Sequence, residues 1–453
     1  MTPADPWPAP HPAGPVDGTV RVPGSKSLTN RWLLLAALAD GPSTLHGVLD
    51  SRDSRLMLQA LQTLGAQVAW SGPDTVQITP LPHRPDVGSV TIDCGLAGTV
   101  MRFIPAVAAL ATGTVTLDGD PEARVRPMGP VLRALEQLGV RIDAPESAGP
   151  EPTTLPITVH GTGGVRGGRV EIDASGSSQF VSALLLAAPR FAQGLHLVHT
   201  GRSVPSPEHI AMTVSVLRQA GVEVDDSVPG TWRVAPGPVL VRETTVEPDL
   251  SNAGPFLAAA VVTGGTVRIP DWPAETTQIG DRWRQILPRF GATVSFEPGT
   301  ESTGTLTVTG SIDTDGTPTI CGPGEIAGTA ELAPTVAALC LLADGPSSLT
   351  GIGHLRGHET DRLSALATET SRVGGAVQEG TDRLDFAPVP RSSLKPEVMQ
   401  TYLDHRMATF AAVVGLAVPE VQIQDVATTA KTMPDFPQMW IELIGTAQPG
   451  SGG

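Results

Sequence analysis

Along this chain an apolar run at helical spacing leads again and again into a glycine-centred turn and then a short alternating strand. The phrase is LLLAALADGPSTLHG around Gly41, IPAVAALATGTVTLDG around Gly113, ALLLAAPRFAQGLHLVHTG around Gly194, FLAAAVVTGGTVRIPD around Gly265 and TVAALCLLADGPSSLTG around Gly345. A weaker sixth copy, FAAVVGLAVPEVQIQD, carries Pro419 where the others carry Gly. A second phrase follows most copies. Leu58, Leu61 and Leu64 lie at helical spacing before Gly65, and Val68 opens a strand. The same order recurs at Leu132/Leu135/Leu138–Gly139, Val214/Leu217–Gly221, Ile286/Phe290–Gly291 and Val373–Gly374. Gly directly after a helix predicts a left-handed C-cap, a conformation that a Cβ makes costly.

The copies lie about 70–83 residues apart, and six of them fill the chain. That period is too long for a solenoid of about 20–50-residue repeats. Each unit has room for two helices and several strands, a βαβαββ module. Three modules in each of two domains suit the 453 residues. The expected class is therefore α/β (α+β), built from repeats. No GxGxxG follows a strand, which argues against a dinucleotide-binding sheet.

Composition refines this picture. Fifty Gly and 43 Pro call for short elements joined by tight turns. With aromatics at only 4%, Leu, Val, Ile and Ala must fill the cores. The net charge of −16 argues against nonspecific nucleic-acid binding and against adhesion to anionic membranes. Small anions remain admissible, because exposed charges are screened beyond about 8–10 Å. An acidic shell around a basic site is consistent with the total. Cys94, Cys321 and Cys340 lie far apart with no CxxC, and read as reduced thiols of a cytoplasmic protein. No apolar run reaches the roughly 18 residues of a membrane span. Residues 1–15, rich in Pro and Ala with no Lys or Arg, fit neither a signal nor a transit peptide and read as a disordered tail.

The polar residues of interest stand just before the apolar helices. GSKSLTNR precedes WLLLAALA, so Ser27 or Thr29 would cap a helix whose first turn exposes N–H groups, with Lys26 and Arg31 adding full charges. A capped helix with two solvated cations would look the same. LAGTVMR opens the next helix, where Gly98 allows close approach to backbone, with Arg124 and Arg126 in a loop downstream. SGSSQF offers Ser177, Ser178 and Gln179 at a helix start, suited to a phosphate or a polyol or to an ordinary cap. Ser206 and His209 in VPSPEHI resemble a further hydroxyl-binding turn. In HETDR, Glu359 sits between His358 and Arg362, a setting for proton transfer that lacks the HExxH spacing of zinc sites, so no metal is expected. Glu331 lies at the mouth of an apolar helix, where an acid also simply stabilises the dipole. DHRM and TAKTMPDF add Arg406 and Lys431. Lys26, Arg31, Arg126, Arg362, Arg406 and Lys431 all occupy loop–helix junctions of the repeat.

Taken in order, GSKSLTNR, AGTVMR, SSQF, HETDR, DHRM and TAKTMPDF resemble the enolpyruvyl shikimate-phosphate synthase family, over about Val16 to Trp440. The resemblance implies the enolpyruvyl transferase fold, two inverse domains of three βαβαββ units each. It implies one domain from residues 16–24 plus 247–453, another from 25–246, and an active site in the cleft between them. It further implies transfer of the enolpyruvyl group of phosphoenolpyruvate to the 5-hydroxyl of shikimate 3-phosphate. Shikimate 3-phosphate then falls to Lys26, Ser27, Arg31, Ser177, Ser178, Gln179, Ser206, Glu331 and His358. Phosphoenolpyruvate falls to Lys26, Gly98, Arg126, Gln179, Arg362, Arg406 and Lys431. Lys26, Glu331, Glu359 and His358 carry the proton transfers. No cofactor, nucleic acid or membrane partner is implied, and a cytoplasmic monomer is expected.

Three positions depart from the family pattern: Leu96 stands where many members have Asn, and His354 and His358 stand where others have Asn and Lys. The His at 358 makes a pH dependence near neutrality an expectation. Because Gly98 carries no side chain, the resemblance also implies inhibition by glyphosate. Two alternatives are a UDP-N-acetylglucosamine 1-carboxyvinyltransferase, whose family has Lys-Asn at Lys26-Ser27 and a reactive loop Cys, and a non-catalytic anion-binding repeat protein. RNA 3′-phosphate cyclases share the fold, but the acidic charge speaks against one.

Overall fold

The computed structural model describes residues 5–144, 153–299, 302–357 and 359–445. They fall into two compact units, one comprising Gly24–Val246 and the other the residues before it together with those from Glu247 onward. Each unit has its own apolar core.

In the Gly24–Val246 unit three four-stranded sheets share one topology. The clearest copy pairs Asp86–Asp93 parallel with Thr112–Asp118, which pairs antiparallel with Ile157–Thr162, and that in turn with Arg141–Asp143. Helices Gly98–Ala108 and Gly129–Gln137 form the crossovers, so the order along the chain is βαβαββ. The unit's last copy repeats this with Gly168–Ile172, Leu195–His199, Thr231–Val234 and Val224–Asp225. Its first copy takes the leading strand from Glu243–Thr245, parallel to Ser43–His46. The other unit mirrors that arrangement, with Asp17–Thr19 running parallel to Thr266–Pro273. A further sheet there is formed by Gly324–Ala327, Ser347–Thr350, Arg383–Ala387 and Ala376–Glu379. The modules' leading helices, such as Leu250–Thr263, are buried on every side, which is why they read as unbroken apolar runs.

The glycine stops behave as helix physics requires: Gly65 and Gly374 have φ of 108° and 89°. Two local expectations need correction. The cap of helix Lys26–Ala37 is Ser25, whose Oγ accepts from Leu28 N, not Ser27 or Thr29. Its neighbour Gly24 belongs with the residues that follow it, because a Cβ there would sit 1.8 Å from Gly47 O.

The expected disordered stretch over 1–15 is corrected for residues 5–15, while residues 1–4 lie outside those described. Trp7–Pro8 pairs antiparallel with Gln422–Ile423, Ala9 N donates to Val421 O at 2.9 Å, and Ala9 is buried. His11 Nδ1 also donates to Gly415 O at 3.1 Å. An edge strand tolerates Pro because one side of its ladder needs no donors. Among the described residues no helix is long and apolar enough to cross a membrane.

Candidate functional site

Two polar constellations stand out, one in each unit. In the Gly24–Val246 unit, helices Lys26–Ala37, Gly98–Ala108 and Gln179–Ala187 supply the first. Lys26 and Ser27 occupy the first turn of their helix, both half-buried. Lys26 Nζ lies 3.7 Å from Asp53 Oδ2, a carboxylate nearly closed to solvent. Asn30 Nδ2 donates to Thr99 Oγ1 at 3.0 Å, tying that helix to the start of Gly98–Ala108.

Gly98 has a crowded approach. A Cβ on it would meet the Arg126 guanidinium nitrogens at 3.2 and 3.3 Å and Gln179 Oε1 at 3.3 Å. Residues spread over 81 positions therefore converge on one patch of bare backbone. Arg102 sets the geometry. Its NH1 donates to Gln179 Oε1 at 2.6 Å, its NH2 donates to Pro127 O at 3.2 Å, and its guanidinium lies 5.3 Å from the Phe180 ring centroid. Arg126 is held by donation from NH1 to Leu96 O at 3.2 Å. The neighbouring Arg124 hydrogen-bonds Asp118, which lowers that carboxyl below its ordinary value.

Ser177 Oγ accepts from Gln179 N at 3.2 Å, and Ser178 is buried. Ser206 has a φ of 48°, unusual for a residue with a Cβ, at the entry to helix Glu208–Gln219. Arg31, 1% exposed, has its guanidinium among protein acceptors: Thr213 Oγ1 at 2.8 Å, Ser27 O at 2.9 Å and His209 O at 2.9 Å. It joins the starts of two helices.

The second constellation lies wholly in the other unit. Arg362, the first residue of helix Arg362–Arg372, donates from Nε to Asp404 Oδ2 at 2.7 Å and from NH2 to Asp404 Oδ1 at 3.1 Å. It also reaches Glu359 Oε2 at 3.1 Å. Burial alone would lower the Arg362 pKa; the charges of Asp404 and Glu359 reverse that and hold it above the ordinary value. Lys431 closes on the other oxygen of Glu359. Arg406 lies 3.6 Å from Glu331 Oε1, which also accepts from Ser251 Oγ at 2.9 Å. Ala330, just before Glu331, has a φ of 41°, a left-handed conformation that re-aims the acid. His358 lies outside the described residues.

Thus Lys26, Gly98 and Gln179 stand at helix starts of one unit with Arg126 in a turn beside Gly98, and Glu331, Glu359, Arg362, Arg406 and Lys431 lie in the other, joined by ion pairs. Each acid expected to move a proton is paired with a cation. Chemically this is a set of cations able to receive anions, with two carboxylates paired among them. Among the described residues no group of His, Cys, Asp and Glu could hold a metal ion.

Sequence reasoning missed Asp53, Arg102 and Ser251. Arg102 had a signal, being the one charge in an otherwise buried apolar helix, where a charge requires a partner. Asp53 had none, because SRDSR reads as a solvated helix face.

The sequence profile of EPSP synthase (3-phosphoshikimate 1-carboxyvinyltransferase) matches residues 10–440. The chain is 58% identical over 452 residues to a curated 3-phosphoshikimate 1-carboxyvinyltransferase of Kocuria rhizophila, covering 98% of this chain and 97% of that one. Two solved structures of EPSP synthase from Acinetobacter baumannii share the fold at 22% identity. Their TM-scores are 0.78 and 0.77, each covering 98% of this chain and 97% of theirs.

Proposed function

The chain belongs to the EPSP synthase (3-phosphoshikimate 1-carboxyvinyltransferase) family, and we propose that it transfers the enolpyruvyl group of phosphoenolpyruvate to the 5-hydroxyl of shikimate 3-phosphate, releasing phosphate. The observation that carries this reading is the whole-length relationship to the Kocuria rhizophila enzyme, in a chain whose Lys26, Arg362 and Arg406 stand at helix starts.

In this reading Lys26, Gly98, Arg126, Gln179, Arg362, Arg406 and Lys431 receive phosphoenolpyruvate. Lys26, Ser27, Arg31, Ser177, Ser178, Gln179, Ser206, Glu331 and His358 receive shikimate 3-phosphate. Arg31 also serves by holding Ser27 O and His209 O, the backbone beside two of the assigned turns. The 5-hydroxyl oxygen bonds to C2 of phosphoenolpyruvate as C3 gains a proton, giving a tetrahedral intermediate. Loss of that C3 proton and cleavage of the C2–O bond to phosphorus then regenerate the double bond and free phosphate. Glu331 exchanges the 5-hydroxyl proton, and Glu359 or Lys26 serves C3; His358 is assigned to the same proton transfers. Each carboxylate lies against a cation, Glu331 against Arg406 and Glu359 against Lys431, which holds it in place for the transfer.

The sister reading, a UDP-N-acetylglucosamine 1-carboxyvinyltransferase, needs a reactive cysteine. Cys94, the one beside the Gly98 turn, is buried and its thiol is pushed up to about 12 by burial, which opposes that role. We further take the protein as a cytoplasmic monomer acting on small molecules alone; its unpaired cysteines support a reducing compartment. The test is phosphate release from phosphoenolpyruvate with shikimate 3-phosphate or UDP-N-acetylglucosamine as acceptor. Release with the first acceptor and not the second is expected; release only with the second would overturn the reading.

A further inference from the structure

Residues Tyr402 and Leu403 are consecutive, carry side chains, and both lie in the left-handed region, with φ of 54° and 58°. Such a pair persists only where its surroundings over-determine it. The turn is closed by Asp404 N donating to Thr401 O at 2.9 Å, and it leads directly into helix His405–Gly415, which begins with Arg406 as its second residue.

What holds this turn is a buried carboxylate on another helix. Glu369 is fully enclosed, at 0% exposure. Its Oε1 accepts from the Tyr402 hydroxyl at 2.7 Å, and its Oε2 accepts from Gln400 N at 3.0 Å and from Arg372 Nε at 2.9 Å. Glu369 sits on helix Arg362–Arg372, the helix whose first residue grips Asp404. Asp404 Oδ1 in turn accepts from Arg406 N at 2.9 Å. The turn is therefore fastened to a single helix at two points roughly 10 Å apart along its axis, at about 1.5 Å of rise per residue. Burial and the Glu369 charge also raise the Tyr402 hydroxyl pKa, consistent with a phenol that keeps its proton to donate it.

We propose that Tyr402 and Glu369 are positioning residues that hold the strained 400–404 turn to helix Arg362–Arg372 and thereby fix Arg406 relative to Arg362 for phosphoenolpyruvate. The proposal rests on the assignment of those two arginines to phosphoenolpyruvate. Neither brace residue is among those assigned to substrate. Without the tyrosine hydroxyl the left-handed pair relaxes toward ordinary backbone angles, and Arg406 loses its aim while Arg362 keeps its grip on Asp404.

The experiment compares the full-length wild type with Tyr402→Phe and Glu369→Gln in phosphate release, with each substrate varied in turn, alongside thermal unfolding. Tyr402→Phe should raise KM for phosphoenolpyruvate about tenfold, the scale of one lost hydrogen bond to a charged group, with KM for shikimate 3-phosphate within about twofold of wild type. Glu369→Gln, which keeps an acceptor for the phenol, should fall between. A Tyr402→Phe protein that unfolds earlier yet keeps the wild-type KM for phosphoenolpyruvate would reduce the pair to a stabilising contact and overturn the proposal. Tyr402 is the only tyrosine in the sequence, so the wild type offers a second reading if the variants fail to fold. Its tyrosinate absorbance should rise at higher pH than in free tyrosine and move further when phosphoenolpyruvate binds with shikimate 3-phosphate. A phenol that ignores phosphoenolpyruvate would also overturn it. Absence of phosphate release by the wild type would instead sink the functional reading on which the proposal stands.

Discussion

Arg362 and Asp404 form a two-point ion pair at 2.7 and 3.1 Å with both residues sealed from solvent, at 1% and 0% exposure. Removing the Asp404 charge takes away the two-point partner of a buried guanidinium and leaves it the Glu359 contact at 3.1 Å. Asp404→Asn should cost about 3–5 kcal/mol of stability, read as a lower denaturant midpoint for the unit that carries it. An unchanged midpoint would mean that water reaches the pair.

Glu331 is held by Arg406 and Ser251, so its replacement leaves the cation in place while removing the proton acceptor. Glu331→Ala should lower kcat by on the order of 10²–10⁴-fold with much smaller changes in substrate binding. Turnover close to wild type would remove Glu331 from the chemistry.

Gly98 lies under Arg126 and Gln179, and its backbone does not itself forbid a side chain. The methyl of Gly98→Ala must displace the guanidinium by a few tenths of an ångström. KM for phosphoenolpyruvate should rise roughly tenfold, less than the 10²-fold of a full 1 Å misplacement. Inhibition of the wild type by glyphosate, expected at the same place, should weaken in parallel. Steady-state kinetics with and without inhibitor check both.

The thiols offer a test of burial. Cys94 and Cys340 are buried and their pKa values are pushed up to about 12, chiefly by desolvation, whereas Cys321 is exposed. Alkylation proceeds through the thiolate. At neutral pH the folded protein should therefore gain one adduct by mass spectrometry, on Cys321, and the other two only on unfolding. An adduct on Cys94 in the native protein would contradict the packing around it.

The repeated architecture was legible because hydrophobic periodicity and a glycine stop are local signals, and six copies reinforced one another; Gly65 and Gly374 take the conformation their position required. The cap of the first helix was not, since Ser25, Ser27 and Thr29 all carry a hydroxyl and spacing alone does not say which one accepts from Leu28 N. Nor was the order of residues 5–15, because a Pro-rich stretch with no periodicity gains its strand only from the waiting edge at Gln422–Ile423. The candidate site followed the same rule. Cations at helix starts could be read one by one, but the convergence of Arg126 and Gln179 on Gly98, and the grip of Glu369 on Tyr402, are tertiary facts that no spacing encodes.

One unit opens its first sheet with Asp17–Thr19, which pairs with Thr266–Pro273 from beyond the whole sequence of the other, whereas Glu243–Thr245 pairs with Ser43–His46 inside its own unit. On the ribosome these pairings impose an order. The unit ending at Val246 closes as soon as its last strand emerges, while the opening strand of its companion waits for a partner not yet translated. At about 5–20 residues per second the wait lasts roughly 10–50 s. The nascent chain meets it with a short segment carrying Asp17 and Arg21 among Gly and Pro, poor bait for stray pairing.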